Sequence, residues 1–161
     1  MHFQFYYILI LGSNLGDRQQ HIRAAIDDLK LNGLIVEKET AMIKTAPALV
    51  KSQPDYINAG ILIRTDRSPI DLLSLAKETE KTIKRSKTYR FGPREIDIDI
   101  VWWSEGEYLD SSLQIPHPGN NSRGWVREIL ADLIPPESPQ AQYYKNMNVK
   151  SIQSTDDFIK K

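Results

Sequence analysis

The chain has no cysteine in its 161 residues, which excludes disulfides, thiolate nucleophiles and Cys-ligated zinc or iron–sulfur centres, and is compatible with a reducing cytoplasm. It also has no excess of one charge. Lys plus Arg and Asp plus Glu number 21 each, so no overall field draws it to nucleic acid or to an anionic membrane. Long hydrophobic runs are missing as well. The longest, Phe5 to Leu11, falls far short of the ~20 residues that span a bilayer and lacks the basic leader and small-residue cleavage site of a signal peptide. No internal repeat or low-complexity block appears. What remains is one globular domain, of a size that buries roughly 70% of its unfolded surface.

Against that even background one stretch stands out, Phe91 to Trp103. From Ile96 it alternates, and successive strand side chains point to opposite faces, so Ile96, Ile98 and Ile100 share one face and Asp97 and Asp99 the other. Asp is a poor strand former, and like charges about 6–7 Å apart on one strand repel unless a cation lies between them. A hard divalent ion such as Mg²⁺ meets that need with one or two carboxylates plus substrate phosphates. Asp-x-Asp alone is a weak signal, because any half-exposed strand can alternate in this way. The approach to the strand strengthens it. Lys77, Lys81, Lys84, Arg85, Lys87, Arg90 and Arg94 crowd an interval opposed only by Glu78 and Glu80, and cations beside carboxylates suit a polyphosphate with its metal.

In order, Phe3 to Leu11 reads as a buried strand, and Gly12 to Asp17 as a turn whose Asp17 caps a helix over Arg18 to Leu31, ended by Asn32-Gly33. The turn lacks the Gly-Lys-Ser/Thr ending of a phosphate loop, which leaves a capped structural turn as the better reading. Leu34 to Thr45 reads as a second strand and Tyr56 to Thr65 as a third; the ten-residue connection is too long for a plain hairpin and suggests a binding loop. Tyr56 and Asn58 share a strand face, either as core groups or as an aromatic plate beside an amide. Ser68-Pro69 opens a second helix with Ile70, Leu73, Ala76 and Ile83 on its buried side. Within it Glu80 is either an i,i+4 partner for Lys84 or a ligand-facing carboxylate. After the acidic strand come a short strand at Tyr108–Leu109, then His117 held between two prolines, then Arg123 and a third helix over about Trp125 to Leu133. The polar residues 137–161 promise at most a short helix or linker, outside a domain of residues 1–136. Strand, helix, strand, strand, helix, strand is the βαββαβ order of a ferredoxin-like α+β fold, a mostly antiparallel sheet with helices packed on it.

Four blocks carry a resemblance: Leu11 to Asp17, Gln53 to Ala59, Arg90 to Asp99, and Pro116-His117-Pro118 with Arg123-Gly124-Trp125. In this order they resemble the 6-hydroxymethyl-7,8-dihydropterin pyrophosphokinase family of folate biosynthesis, from about Tyr7 to Pro135. The resemblance implies transfer of diphosphate from ATP to the pterin hydroxymethyl group, with release of AMP and two Mg²⁺ ions as cofactors. It implies that Asp97 and Asp99 hold the metals and that Arg94 and Arg85 act at the reacting groups. It assigns Glu80, Lys87, Ile100, His117 and Arg123 to ATP. To the pterin it assigns Thr45, Ala46, Ala48, Tyr56, Asn58 and Trp125, with Tyr56 and Trp125 as plates. Loops 46–52 and 84–93 would close as lids.

This chain departs from the family pattern in places. Lys84-Arg85-Ser86-Lys87 stands where the family has Gly-Arg-x-Arg, so Lys87 would bind phosphate as a point charge without a bidentate fork. Lys77 replaces a glutamine, Phe91 replaces a tryptophan, and Arg127-Glu128 occupy apolar positions. The expected partners are small molecules only, for a cytoplasmic enzyme that is a monomer or one domain of a longer folate-pathway chain. The rivals are a nucleotide- or RNA-binding module of the same architecture, which would need basic rather than acidic residues on this strand, and another Mg²⁺-dependent phosphoryl or nucleotidyl transferase.

Overall fold

The computed structural model describes residues 4–47, 52–83 and 92–154, with backbone only from 148 onward. Five strands form one antiparallel sheet. β1 (Phe5–Ser13) lies between β4 (Tyr56–Thr65) and β5 (Asp97–Trp103), β2 (Ile35–Glu39) flanks β4, and β3 (Ile43–Thr45) pairs with the start of β4. β6 (Tyr108–Leu109) and β7 (Gln114–Ile115) form a separate hairpin. Leaving β3 aside, the order β2-β4-β1-β5 is that of the ferredoxin-like fold expected from the element order.

The period-2 pattern of the strands decides which layer each residue enters. Tyr7, Leu9 and Leu11 of β1, the odd residues of β4, and Ile96, Ile98 and Ile100 face α1 (Arg18–Leu31) and α2 (Pro69–Thr82). Ile8, Ile10, Leu62, Val101 and Trp102 face α3 (Gly124–Leu133) and α4 (Pro139–Ser154). The second layer covers only part of its face. α3 crosses β4 at Gly60, where an added Cβ would lie 2.4 Å from Ile129 Cγ2, so the absent side chain lets the helix close on the strand. Beyond that crossing Gly12, Asn58, Asp97 and Asp99, on the same face, line an open hollow.

The helix ends follow their sequence signals. Asp17 accepts from the Gln20 N–H and Ser68 from the Asp71 N–H, each satisfying an orphan donor of the first turn. Three expectations are corrected. The strand expected over 34–45 is two strands: its register on β4 slips between Val36 and Lys38, and at Thr40 the side chain takes the Gly60 N–H. Ile70 does not sit on the buried side of α2 but is 38% exposed. The inward stripe is Leu72, Leu75, Ala76, Thr79 and Glu80, which ends in polar groups and so hid from a count of apolar residues. The tail holds a 16-residue helix, anchored by buried Ala141 and Tyr144.

Candidate active site

Two hollows meet on β5. The first, of about 420 Å³, is lined by Ile10, Gly12, Thr45, Ala46, Gln53, Tyr56, Asn58, Arg94, Asp97, Asp99, Arg123 and Trp125. The second, of about 470 Å³, runs between α2, β5 and the β6–β7 hairpin, and its wall includes Lys77, Glu80, Ile98, Ile100, Leu109 to Gln114 and His117. Arg94, Asp97 and Asp99 belong to both walls. A ligand in each hollow would therefore meet the other at the two carboxylates and the guanidinium.

The first hollow is built for a flat polar molecule. Tyr56 and Trp125 supply aromatic surface, and Asn58, 5% exposed, supplies an amide. Thr45 fixes that amide by accepting from Asn58 Nδ2 at 2.6 Å. Across it, Gly12 leaves no room for a side chain: a Cβ there would stand 2.4 Å from Asn58 Oδ1. The Arg123 guanidinium lies over the Trp125 ring, 5.2 Å from its centroid, a cation–π arrangement.

Asn14, 1% exposed, ties the surrounding loops together. Its Nδ2 donates to Gln53 Oε1 at 2.8 Å and to the Pro54 carbonyl at 3.1 Å, while its Oδ1 accepts from the Arg94 N–H at 2.9 Å. Its own N–H donates to the Arg94 carbonyl. The first turn after β1 thus holds both the loop before β4 and the residue that leads into the acidic strand.

In the second hollow Glu80 is 3% exposed, and its Oε2 accepts from the Ile98 N–H at 2.8 Å, on the edge of β5 that no strand covers among the described residues. The carboxylate clamps α2 to the strand while lining the hollow. His117 Nδ1 accepts from the Gly119 N–H at 3.0 Å, which leaves the proton of the neutral ring on Nε2. Burial, aided by Arg123, pushes the His117 pKa down, with Asp97 opposing. Burial also pushes the Asp99 carboxyl up to about 7, reinforced by Asp97 and Glu80 and opposed by Arg123 and Lys77. A carboxyl held so high sits where an added cation would be welcome.

Most residues singled out in the sequence come together here. Thr45, Ala46, Tyr56, Asn58 and Trp125 line the first hollow, Glu80, Ile100 and His117 the second, and Arg94, Asp97 and Asp99 both. Arg123, expected beside the phosphates, lines the first hollow instead, yet lies close enough to act electrostatically on Asp99 and His117. Ala48, Arg85 and Lys87 fall outside the described residues. Gly12, Gln53 and the β6–β7 hairpin were not singled out as site residues. The first two stand within the conspicuous blocks, whereas the hairpin carries no chemical signature beyond its position.

The family model described as 7,8-dihydro-6-hydroxymethylpterin-pyrophosphokinase matches residues 8–135. The chain belongs to this family. A similar protein of Bacillus subtilis (strain 168), 2-amino-4-hydroxy-6-hydroxymethyldihydropteridine pyrophosphokinase, is 31% identical over 126 residues, covering 78% of this chain and 75% of that protein. The folic acid synthesis protein fol1 of Schizosaccharomyces pombe is 38% identical over 137 residues, 82% of this chain but 19% of its own. The mitochondrial folate synthesis bifunctional protein of Pisum sativum is 32% identical over 127 residues, 79% of this chain and 25% of its own. The chain thus spans about a quarter of the length of that plant relative. A solved HPPK-DHPS structure in complex with substrates superposes with a TM-score of 0.71 over 96% of this chain and 45% of that one, at 14% identity, a likeness of fold. Among the described residues no helix is long and apolar enough to cross a membrane.

Proposed function

We propose that the chain transfers diphosphate from ATP to the hydroxymethyl group of 6-hydroxymethyl-7,8-dihydropterin and releases AMP. The observation that carries this reading is the pair of hollows sharing Arg94, Asp97 and Asp99. The first, with two aromatic residues and a fixed amide, suits a planar molecule rich in donors and acceptors. The second, slightly larger and flanked by Lys77 and His117, suits a nucleotide. A reaction between the two belongs where their walls coincide.

In the reaction the pterin hydroxyl oxygen forms a bond to the β-phosphorus, and the bond from that phosphorus to the oxygen bridging to the α-phosphate breaks, so that AMP leaves. The hydroxyl proton goes to the pair of carboxylates, Asp97 and Asp99, which stand where the two hollows meet. Arg94 lies against the reacting groups with its main chain fixed by Asn14, and a guanidinium there stabilises charge on the transferring oxygens. Through Nε2, His117 donates to phosphate without itself carrying charge. Tyr56, Trp125 and Asn58 orient the acceptor, and orientation supplies much of the acceleration in phosphoryl transfer.

The donor set fits Mg²⁺. Two hard oxygen donors share one strand face, and among the described residues no third His, Cys, Asp or Glu joins them, in keeping with an ion that fills its shell with phosphate and water. Asp97 and Asp99 would hold the two ions, and the chemistry they supply when bound is neutralisation of phosphate charge. We place the enzyme in the cytoplasm, as a monomer or as one domain of a larger folate-pathway chain; the curated relatives include bifunctional proteins.

The test separates reaction products. Incubated with ATP, Mg²⁺ and hydroxymethyldihydropterin, the chain should yield AMP and pterin diphosphate, and Asp97→Ala should lower the rate by at least about a thousandfold with the fold intact by circular dichroism. Formation of ADP instead of AMP, or full turnover by Asp97→Ala, would overturn the assignment.

A further inference from the structure

The loop from His117 to Arg123 begins at the wall of the second hollow and ends at the wall of the first. Its middle is held from several sides. Asn120, 2% exposed, donates from Nδ2 to the Val101 carbonyl of β5 at 2.9 Å and from its N–H to the His117 carbonyl at 3.0 Å. From α3 the buried Arg127 donates through Nη1 to the Asn121 carbonyl at 2.6 Å. Gly119 is pinned at both its polar groups. Its N–H donates to His117 Nδ1 at 3.0 Å, and its carbonyl accepts from the Ser122 N–H at 3.3 Å and the Ser122 hydroxyl at 3.1 Å.

The turn itself does not ask for a glycine at 119. The backbone there lies outside the left-handed region, so an alanine could adopt it. What leaves no room for a side chain is Arg123. Beyond the chain neighbours, the three atoms nearest to a Cβ on Gly119 would be Arg123 Nη2 at 2.7 Å and Cζ and Nε at 3.2 Å each. With the loop pinned, the guanidinium at the end of a flexible side chain is the part that would yield. That guanidinium lies over Trp125, 5.2 Å from the ring centroid, and its Nε donates to the Gly119 carbonyl at 3.4 Å. A bare Cα and an indole face together form a seat for a planar cation. Among the described residues neither Nη of Arg123 makes a hydrogen bond, so the seated group keeps its terminal donors for what enters the first hollow.

We propose that Gly119 is a positioning residue: it seats the Arg123 guanidinium over Trp125 and so commits that cation to the acceptor in the first hollow. The proposal rests on reading the hollows as the substrate sites. A guanidinium donates and never accepts, so from its seat it meets the acceptor atoms of the planar ring. The Gly119 N–H meanwhile orients His117 on the nucleotide side, and one residue thus places a group in each hollow.

Gly119→Ala separates the two roles, because it keeps the N–H and removes only the room for Arg123. In calorimetry the Kd for hydroxymethyldihydropterin should rise about five- to twentyfold, as it should in Arg123→Ala, on the scale of one lost hydrogen bond from a charged donor. The Kd for a non-hydrolysable ATP analogue should stay within about twofold. Gly119→Ala combined with Arg123→Ala should cost no more than Arg123→Ala alone, since both remove one contact. Ser122→Ala removes a hydroxyl that holds the same carbonyl without crowding the seat, and should leave the pterin Kd within about twofold. In nuclear magnetic resonance without ligand, the Trp125 indole signal should shift in Gly119→Ala and Arg123→Ala but not in Ser122→Ala. An unchanged pterin Kd in Gly119→Ala, an unmoved Trp125 signal, or equal weakening of both ligands overturns the proposal, as does the same loss in Ser122→Ala. Should the unaltered chain neither bind the pterin nor form AMP, the functional reading falls alone; a Trp125 shift in Gly119→Ala then upholds the seat, and no shift overturns it.

Discussion

Asp99 shows how one side chain trades stability for a function. Its carboxyl is harder to ionise folded than unfolded, because it is half-buried beside Asp97 and Glu80. A carboxyl with a raised folded pKa contributes stability that is complete below its ordinary value of 3.8 and is lost as pH climbs through about 7. Without added divalent ions, Asp99→Asn should therefore raise stability by about 2 kcal/mol at pH 8, allowing for solvent screening, with the gain shrinking toward zero near pH 4. Urea titrations at several pH values would read it; a gain independent of pH would refute the burial of charge. Gly12 makes a second case. Its missing Cβ leaves room for Asn58 Oδ1, and Asn58 is pinned on its other side by Thr45, so it has nowhere to retreat. Gly12→Ala should weaken pterin binding at least tenfold, the scale of one displaced hydrogen-bonding group, and leave ATP binding within about twofold. Calorimetry with each ligand separately checks this, and equal weakening of both would contradict it.

Elements were legible to the degree that one face of each is apolar. The alternation over Ile96 to Ile100 assigned both faces of β5 correctly, because Asp and Ile differ so strongly that no register error is tolerated. The limits of α1 came from its cap and from the Asn32-Gly33 stop, local chemistry that tertiary packing did not override. α2 was harder. Its inward stripe runs from Leu72 to Glu80 and ends in a buried carboxylate whose partner, the Ile98 N–H, comes from a strand eighteen residues away. No local pattern announces such a contact. Likewise the break between β2 and β3 depends on the register of β4, and the burial of α4 on a surface made by α3 and β5. The Glu80 clamp yields a prediction of its own. Glu80→Ala strands a buried N–H at the sheet edge and should cost about 1–3 kcal/mol, whereas Glu80→Gln keeps an acceptor and should cost under about 1.5 kcal/mol. Urea midpoints would decide, and equal losses would show that only the negative charge mattered.

At the scale of the whole molecule, the sheet acts as a partition with one doorway. Among the described residues β5 is its edge strand: on one side the sheet face opens into the first hollow, and past the strand's outer edge lies the second. Four sequence blocks far apart in the chain converge there because β1 is central and pairs with both β4 and β5. This is why motif order was readable, while the hairpin wall, which takes part only through its position, was not. The arrangement predicts how binding divides. Tyr56→Ala should raise the Kd for the pterin by about ten- to a hundredfold, in line with the loss of an aromatic plate, and spare ATP. His117→Ala should do the reverse at about ten- to thirtyfold, the worth of one hydrogen bond to a charged group. Arg94→Ala touches the shared wall, so it should weaken both ligands by small factors yet lower kcat by at least a hundredfold, since in the proposed reaction its charge stands where the phosphoryl group crosses. Equilibrium binding of each ligand, with a non-hydrolysable ATP analogue, and single-turnover rates separate these effects. Should Arg94→Ala behave like either neighbour, weakening a single ligand and leaving the rate of the bound complex unchanged, the two hollows would not share a reacting centre.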